Sequence, residues 1–303
     1  MTWLTDPYGW WIQPFVDNAF VRDALIAALL AAIATSLIGT WVILKGLSFL
    51  GDALAHGVLP GIAIAVVVGG NTTVGALLAA LAMVGGVQVI RTASPLPNDA
   101  SIGILFVGFL ALAVVVMSAQ PGGGDLTRFL FGSITAVDSQ DLVMLAVITA
   151  LTAVAVVILY RPLMISTFDP IQARLIGFRP QLTHLVFLVL LALTIVASFE
   201  IIGSLLVFAF LIAPPATASL LVRRVSSIMI VAVLIGSLSA TVGILISYHD
   251  DTAAGATMAL VTVTVFVITL IVRSSVSTGM SVWRSRQSSA NSADVSPSPS
   301  WSR

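Results

Sequence analysis

Asp52 and His56 are the two side chains of this sequence best placed to do chemistry. They stand four residues apart in Phe49-Leu50-Gly51-Asp52-Ala53-Leu54-Ala55-His56-Gly57-Val58-Leu59-Pro60-Gly61, an otherwise apolar stretch that continues to Val68. Helical i,i+4 spacing stacks the carboxylate and the imidazole on one face. An oxygen and a nitrogen ligand suit a borderline divalent cation such as zinc or manganese. Two ligands are too few for a closed structural site, but two facing copies of the chain would bring four together. An open set of ligands also suits a cation that must leave again. Two other roles fit the same pair: a hydrogen-bonded link holding the first two long helices beside the Lys45-Gly46 turn, and a proton relay.

Glu200, in Ala197-Ser198-Phe199-Glu200-Ile201-Ile202-Gly203, is the other acid inside a long apolar run. It reads either as a metal ligand at the outer mouth or as an interfacial carboxylate. His249, Asp250 and Asp251 form a small polar cluster that could meet a cation or a delivering protein, and His184 reads as a helix-end residue. Pro214-Pro215 interrupts a long apolar stretch and, lacking two backbone donors, predicts a bent helix or a helix end. No Walker A loop is present, and Pro121-Gly122-Gly123-Gly124 lacks its Lys-Ser/Thr ending, so ATP hydrolysis by that route is excluded. No basic patch suggests nucleic acid. The absence of cysteine excludes a disulfide framework and a thiolate site.

The elements that must position these residues are membrane helices. Only 26 of 303 residues are charged, 58% are hydrophobic, and the mean hydropathy is +1.10. A soluble domain carries about a quarter charged residues. The deficit recurs along the chain as apolar runs at 24–44, 50–68, 72–90, 101–118, 141–160, 184–199, 200–221, 226–248 and 254–272. This predicts an all-α, polytopic transmembrane bundle. The stretch 184–221 is the ambiguous one: two spans with a tight turn near Ser198-Phe199-Glu200 give nine crossings, and a broken pair gives eight. With the N-terminus outside and nine crossings, Lys45, Arg91, Arg161, Arg174, Arg179, Arg223, Arg224, Arg273, Arg284, Arg286 and Arg303 all lie inside, and only Arg22 and Arg128 outside. That agrees with the positive-inside rule and predicts a cytosolic C-terminus in the cytoplasmic membrane.

Three regions follow. Residues 1–23, rich in Trp and without a cleavable-signal pattern, form an interfacial segment. Residues 24–272 form the transmembrane domain, whose small residues allow close helix approach. Residues 273–303 form a Ser-rich tail expected to be disordered. Within the inner loops, Ser166-Thr167-Phe168-Asp169-Pro170-Ile171-Gln172-Ala173-Arg174-Leu175-Ile176-Gly177 carries a helix-start signal at Asp169-Pro170 and a stop at Gly177. A short cytosolic helix near 168–178, preceded by an aromatic, suits docking of a partner; an amphipathic connector is the alternative.

These blocks, together with Gly203-Ser204-Leu205-Leu206-Val207 and Leu211-Ile212-Ala213-Pro214-Pro215, resemble the membrane permease of bacterial metal-type ABC importers for zinc, manganese or iron, over roughly residues 15–272. Within that group the nearest similarity is to the anchored-repeat and zinc permease variant. The resemblance implies an ATP-driven importer of a divalent transition metal, zinc or manganese foremost. It implies a second permease copy, two cytosolic ATP-binding subunits and an extracytoplasmic metal-binding protein. It also implies that Asp52 and His56 lie on the cation path, and that Phe168, Asp169, Ala173 and Gly177 belong to the coupling helix. ATP would be hydrolysed by the partner chain, with no cofactor bound here and no catalytic residue. Glu200 is outside the family pattern, so its candidacy as a ligand rests on position alone. An ion-coupled secondary metal transporter and a non-transporting membrane scaffold are the competing classes.

Overall fold

A computed structural model of the chain describes residues 7–119 and 137–293, and every regular element among them is helical. In order they are α1 (Pro7–Trp11), α2 (Gln13–Asp17), α3 (Ala19–Leu44), α4 (Ser48–Gly57), α5 (Leu59–Val68), α6 (Thr72–Ala93), α7 (Asn98–Ser118), α8 (Ser139–Phe168), α9 (Pro170–Leu175), α10 (Pro180–Ile202), α11 (Ser204–Leu221), α12 (Val225–His249) and α13 (Ala254–Ala293). Counting α4–α5 as one crossing, nine helical segments among the described residues are long and apolar enough to span a bilayer. The Pro121–Gly124 loop and Arg128 lie outside the described residues.

α3 is the axis of the bundle, packed on α8, α10, α11 and α12. Lipid is as apolar as a leucine side chain, so helices associate in it through close packing rather than hydrophobic burial. The sequence of α3 meets that demand with Ala27, Ala28, Ala31, Ala32 and Ala34, all fully buried. The closest approach is at Gly39, where a Cβ atom would lie 1.9 Å from the Leu211 carbonyl oxygen. A few buried polar contacts add direction: Thr149 donates to the Leu30 carbonyl at 3.2 Å, and Thr152 and Thr194 share a 3.0 Å hydrogen bond. α7, α8 and α13 expose aliphatic side chains such as Val107, Val157 and Ile271, the surface a bilayer would cover.

The structure corrects two local expectations. α10 runs through Glu200 and ends at Gly203, whose φ of 80° is a conformation that disfavours a side chain. The turn into α11 therefore falls at Gly203 rather than near Ser198-Phe199-Glu200. Second, Pro214 and Pro215 neither end nor interrupt α11, which is helical over Ser204–Leu221 with both rings buried. Pro215 removes the amide that would have closed on the Leu211 carbonyl. That carbonyl is the one pressed against Gly39, and the side-chain-free surface of α3 makes room for it.

α8 is 30 residues long, about 45 Å at 1.5 Å per residue, against a hydrocarbon core of about 30 Å. It therefore continues past Arg161 and Pro162 and carries α9 beyond the membrane. α13 continues as helix through Arg273 to Ala293, so the expected Ser-rich tail begins on helical backbone; residues 294–303 lie outside the described ones.

Candidate metal pathway and coupling helix

The α3–α4 turn starts the site. Gly46 takes a φ of 65°, and the Leu47 amide returns to the Val42 carbonyl at 2.8 Å, a Schellman-type stop. α4 then buries Leu50, Gly51, Ala53, Leu54, Ala55 and Gly57 and leaves Asp52 and His56 on its open face. Two glycines set how deep α4 sinks: a Cβ at Gly51 would lie 2.4 Å from Leu211 Cδ2, and one at Gly57 would lie 2.2 Å from Met83 Sδ. The helix breaks at Val58, because Pro60 cannot donate to the His56 carbonyl. α5 resumes packed on α6 through a reciprocal contact. A Cβ on Gly61 would sit 2.0 Å from the Gly75 oxygen, and one on Gly75 would sit 2.3 Å from the Gly61 oxygen.

His56 Nε2 lies 3.7 Å from Asp52 Oδ1, with the two side chains 26% and 29% exposed. That separation is too long for a hydrogen bond. It is close to the roughly 3.4 Å that two tetrahedral bonds of about 2.1 Å impose on a nitrogen and an oxygen sharing one cation. Phe106 of α7 meets the imidazole edge-on, with ring centroids 5.9 Å apart, and packs on Phe49 at 6.2 Å. Among the described residues, no group of three or more His, Cys, Asp or Glu side chains converges. Asp52 and His56 thus present an oxygen and a nitrogen donor, bordered by Phe49 and Phe106, on an open face. The aromatic neighbours escaped the sequence reading, since a phenylalanine in an apolar helix carries no signal of its own.

The other candidates lie elsewhere. Glu200 is in the last turn of α10, and its side chain is outside the described ones. His249 is tied to the N-terminal segment: its ring stacks on Trp10 at 4.5 Å, Nδ1 donates to the Leu245 carbonyl at 2.8 Å, and Asn18 donates to the Tyr248 hydroxyl at 3.0 Å. With Asp251 and Thr252 it lines a cleft of about 620 Å³. His184, in the second turn of α10, lies with Nε2 2.8 Å from Arg91 Nη1.

α9 has the predicted caps. Asp169 accepts from the Ile171 and Gln172 amides at 3.0 and 2.8 Å, and Pro170 occupies the first turn. Gly177 has a φ of 90°, while the Phe178 amide reaches the Ala173 carbonyl at 2.9 Å. Ala173 is fully buried, whereas the apolar Phe168, Ile171, Leu175 and Ile176 are exposed, as are Gln172 and Arg174.

The ABC 3 transport family matches residues 17–273. The chain belongs to that family. It is 35% identical over 260 residues to the manganese transport system membrane protein MntC of Listeria innocua, covering 86% of this chain and 93% of that one. It is also 35% identical over 263 residues to a Haemophilus influenzae protein named as a probable iron transport system membrane protein, covering 87% and 97%. The solved structure of PsaBC from Streptococcus pneumoniae in complex with Fab superposes with a TM-score of 0.77 at 30% identity, over 86% of this chain and 94% of that one. The protein is therefore a permease subunit of a metal-type ABC importer, moving a divalent transition metal across the membrane. It is a transport component paired with a separate ATPase.

Proposed function

We propose that two copies of this permease face each other across α4 and α7, so that Asp52 and His56 of each copy form a four-ligand stepping point for manganese or zinc. The observation that carries this reading is the open pair itself: two ligands 3.7 Å apart, partly exposed, with no third ligand converging among the described residues. A two-fold axis completes such a half-site with identical groups. The metal would arrive from an extracytoplasmic binding protein at the outer ends of the helices, with the N-terminus outside and the C-terminus in the cytosol. ATP binding in two cytosolic subunits would act through α9. The exposed Phe168, Ile171, Leu175 and Ile176 in and beside it would enter a groove of the ATPase, while Asp169, Ala173 and Gly177 hold the helix in shape. Glu200 has no step in this sequence.

The test is ATP-driven uptake of manganese, zinc and iron by the reconstituted permease–ATPase complex, with binding protein supplied. Asp52→Asn and His56→Gln each abolish uptake of the cargo metal while the complex stays assembled. Wild-type uptake by the assembled double variant overturns the pathway.

A further inference from the structure

Lys45, Arg91 and His184 come from three separate segments to one half-buried cluster. Arg91 Nη1 and His184 Nε2 are 2.8 Å apart. A guanidinium only donates, so Nε2 accepts and the imidazole adds no charge to offset. The Lys45 ammonium lies 5.7 Å from the centroid of the Phe187 ring, and burial lowers its pKa from the ordinary lysine value. Phe187 stands one helical turn from His184 on α10, so the two cations share one small region. Among the described residues neither forms an ion pair with a carboxylate; those found are Arg22–Asp23 and His56–Asp52. Like charges held together at partial burial are unfavourable without an anion.

Position says which anion. Lys45 directly follows the span Ala19–Leu44, Arg91 is in the last turn of Thr72–Ala93, and His184 is in the second turn of Pro180–Phe199. All three therefore sit at the depth where a bilayer presents its headgroups, on the Arg-rich face. α9, the element suited to the ATPase, is carried further out by α8. Beside the cluster, α10 exposes Leu182, Leu185, Val186 and Val189, an aliphatic strip for acyl chains. We propose that Lys45, Arg91 and His184 bind the phosphate headgroup of an anionic phospholipid of the inner leaflet. The free guanidinium N–H groups and the ammonium supply charge-assisted donors. The lipid then clamps the α3–α4 turn to α6 and α10.

The experiment uses the intact permease–ATPase complex without metal or nucleotide. Native mass spectrometry reads lipid retained through delipidation, and thermal unfolding is compared in phosphatidylglycerol and phosphatidylcholine nanodiscs. Wild type keeps phosphatidylglycerol and unfolds at higher temperature in the anionic bilayer. Arg91→Gln and Lys45→Gln each lower retention roughly fivefold, the size of one basic residue's contribution at an anionic surface, and lose most of the anionic shift. Arg223→Gln, an exposed arginine elsewhere on the same face, keeps both. Equal behaviour of wild type in the two bilayers overturns the proposal without recourse to any variant. Unchanged lipid retention with weakened ATPase co-purification in Arg91→Gln also overturns it, and makes the cluster a subunit contact.

Discussion

Gly39→Ala isolates the packing that holds Asp52 and His56 in place. The new Cβ would lie 1.9 Å from the Leu211 oxygen, 2.8 Å from its carbonyl carbon and 3.2 Å from its Cα. All three are backbone atoms, so no rotamer change relieves the clash. α3 and α11 must part locally by about 1.5 Å to reach ordinary van der Waals contact. The cost belongs at the upper end of the roughly 1–3 kcal/mol typical of overpacking, offset by the ~1 kcal/mol that alanine gains over glycine in a helix. A net loss of about 2 kcal/mol results. Leu211 also carries the Cδ2 atom pressed against Gly51, one residue before Asp52, so uptake falls further than stability alone requires. Gly85→Ala in α6, whose Cβ would meet nothing within 4 Å, is the control and gains up to about 1 kcal/mol. Thermal unfolding of the detergent-solubilised complex and metal uptake in proteoliposomes are the paired assays. If Gly39→Ala unfolds at the Gly85→Ala temperature and transports normally, the reasoning fails.

Phe106→Leu removes the ring that meets His56 edge-on and keeps an aliphatic side chain, so metal uptake drops several-fold while the melting temperature changes little; an unchanged uptake rate contradicts a role in orienting the imidazole. Asp169→Ala leaves the Ile171 and Gln172 amides without their side-chain acceptor and costs α9 about 1 kcal/mol, read as weaker ATPase stimulation by binding protein with the transmembrane melting temperature preserved. Thr194→Val leaves the Thr152 hydroxyl without its partner and lowers stability by about 0.5–1 kcal/mol, seen as a lower unfolding temperature with unchanged metal preference.

The spans were legible because lipid makes the same demand at every one: a long apolar run, and nine such helices stand among the described residues. α9 was legible because its signals are local, a cap at Asp169, a proline after it and a glycine at the stop. Which of its residues are exposed was less so. Ala173 belongs to the matching block yet is fully buried, and the exposed apolar residues are Phe168, Ile171, Leu175 and Ile176. Which face of a short helix is covered depends on the helix that carries it. Of the two readings of Pro214-Pro215, a bent helix or a helix end, the structure removes the helix end. The Leu211 carbonyl that Pro215 leaves free lies against Gly39, more than 170 residues earlier in the chain, a neighbour that local sequence does not reveal. Phe106 and the Lys45–Arg91–His184 cluster were out of reach because nothing in local spacing encodes which distant helices touch.

The stretch from Gly51 to Gly61 shows how packing and chemistry divide one short sequence. Gly51, Gly57 and Gly61 have no room for a Cβ: each faces another helix, against Leu211, Met83 and Gly75. Asp52 and His56 occupy the one face of α4 that these contacts leave open. The glycines therefore do not lend the site flexibility. They remove it, fixing the height and rotation of α4 so that a carboxylate and an imidazole stand 3.7 Å apart without needing to hydrogen-bond each other. A pair held apart by packing can accept and release a cation without first breaking its own contact. Such a pair can serve as a stepping point at membrane depth, where ionisable groups are costly.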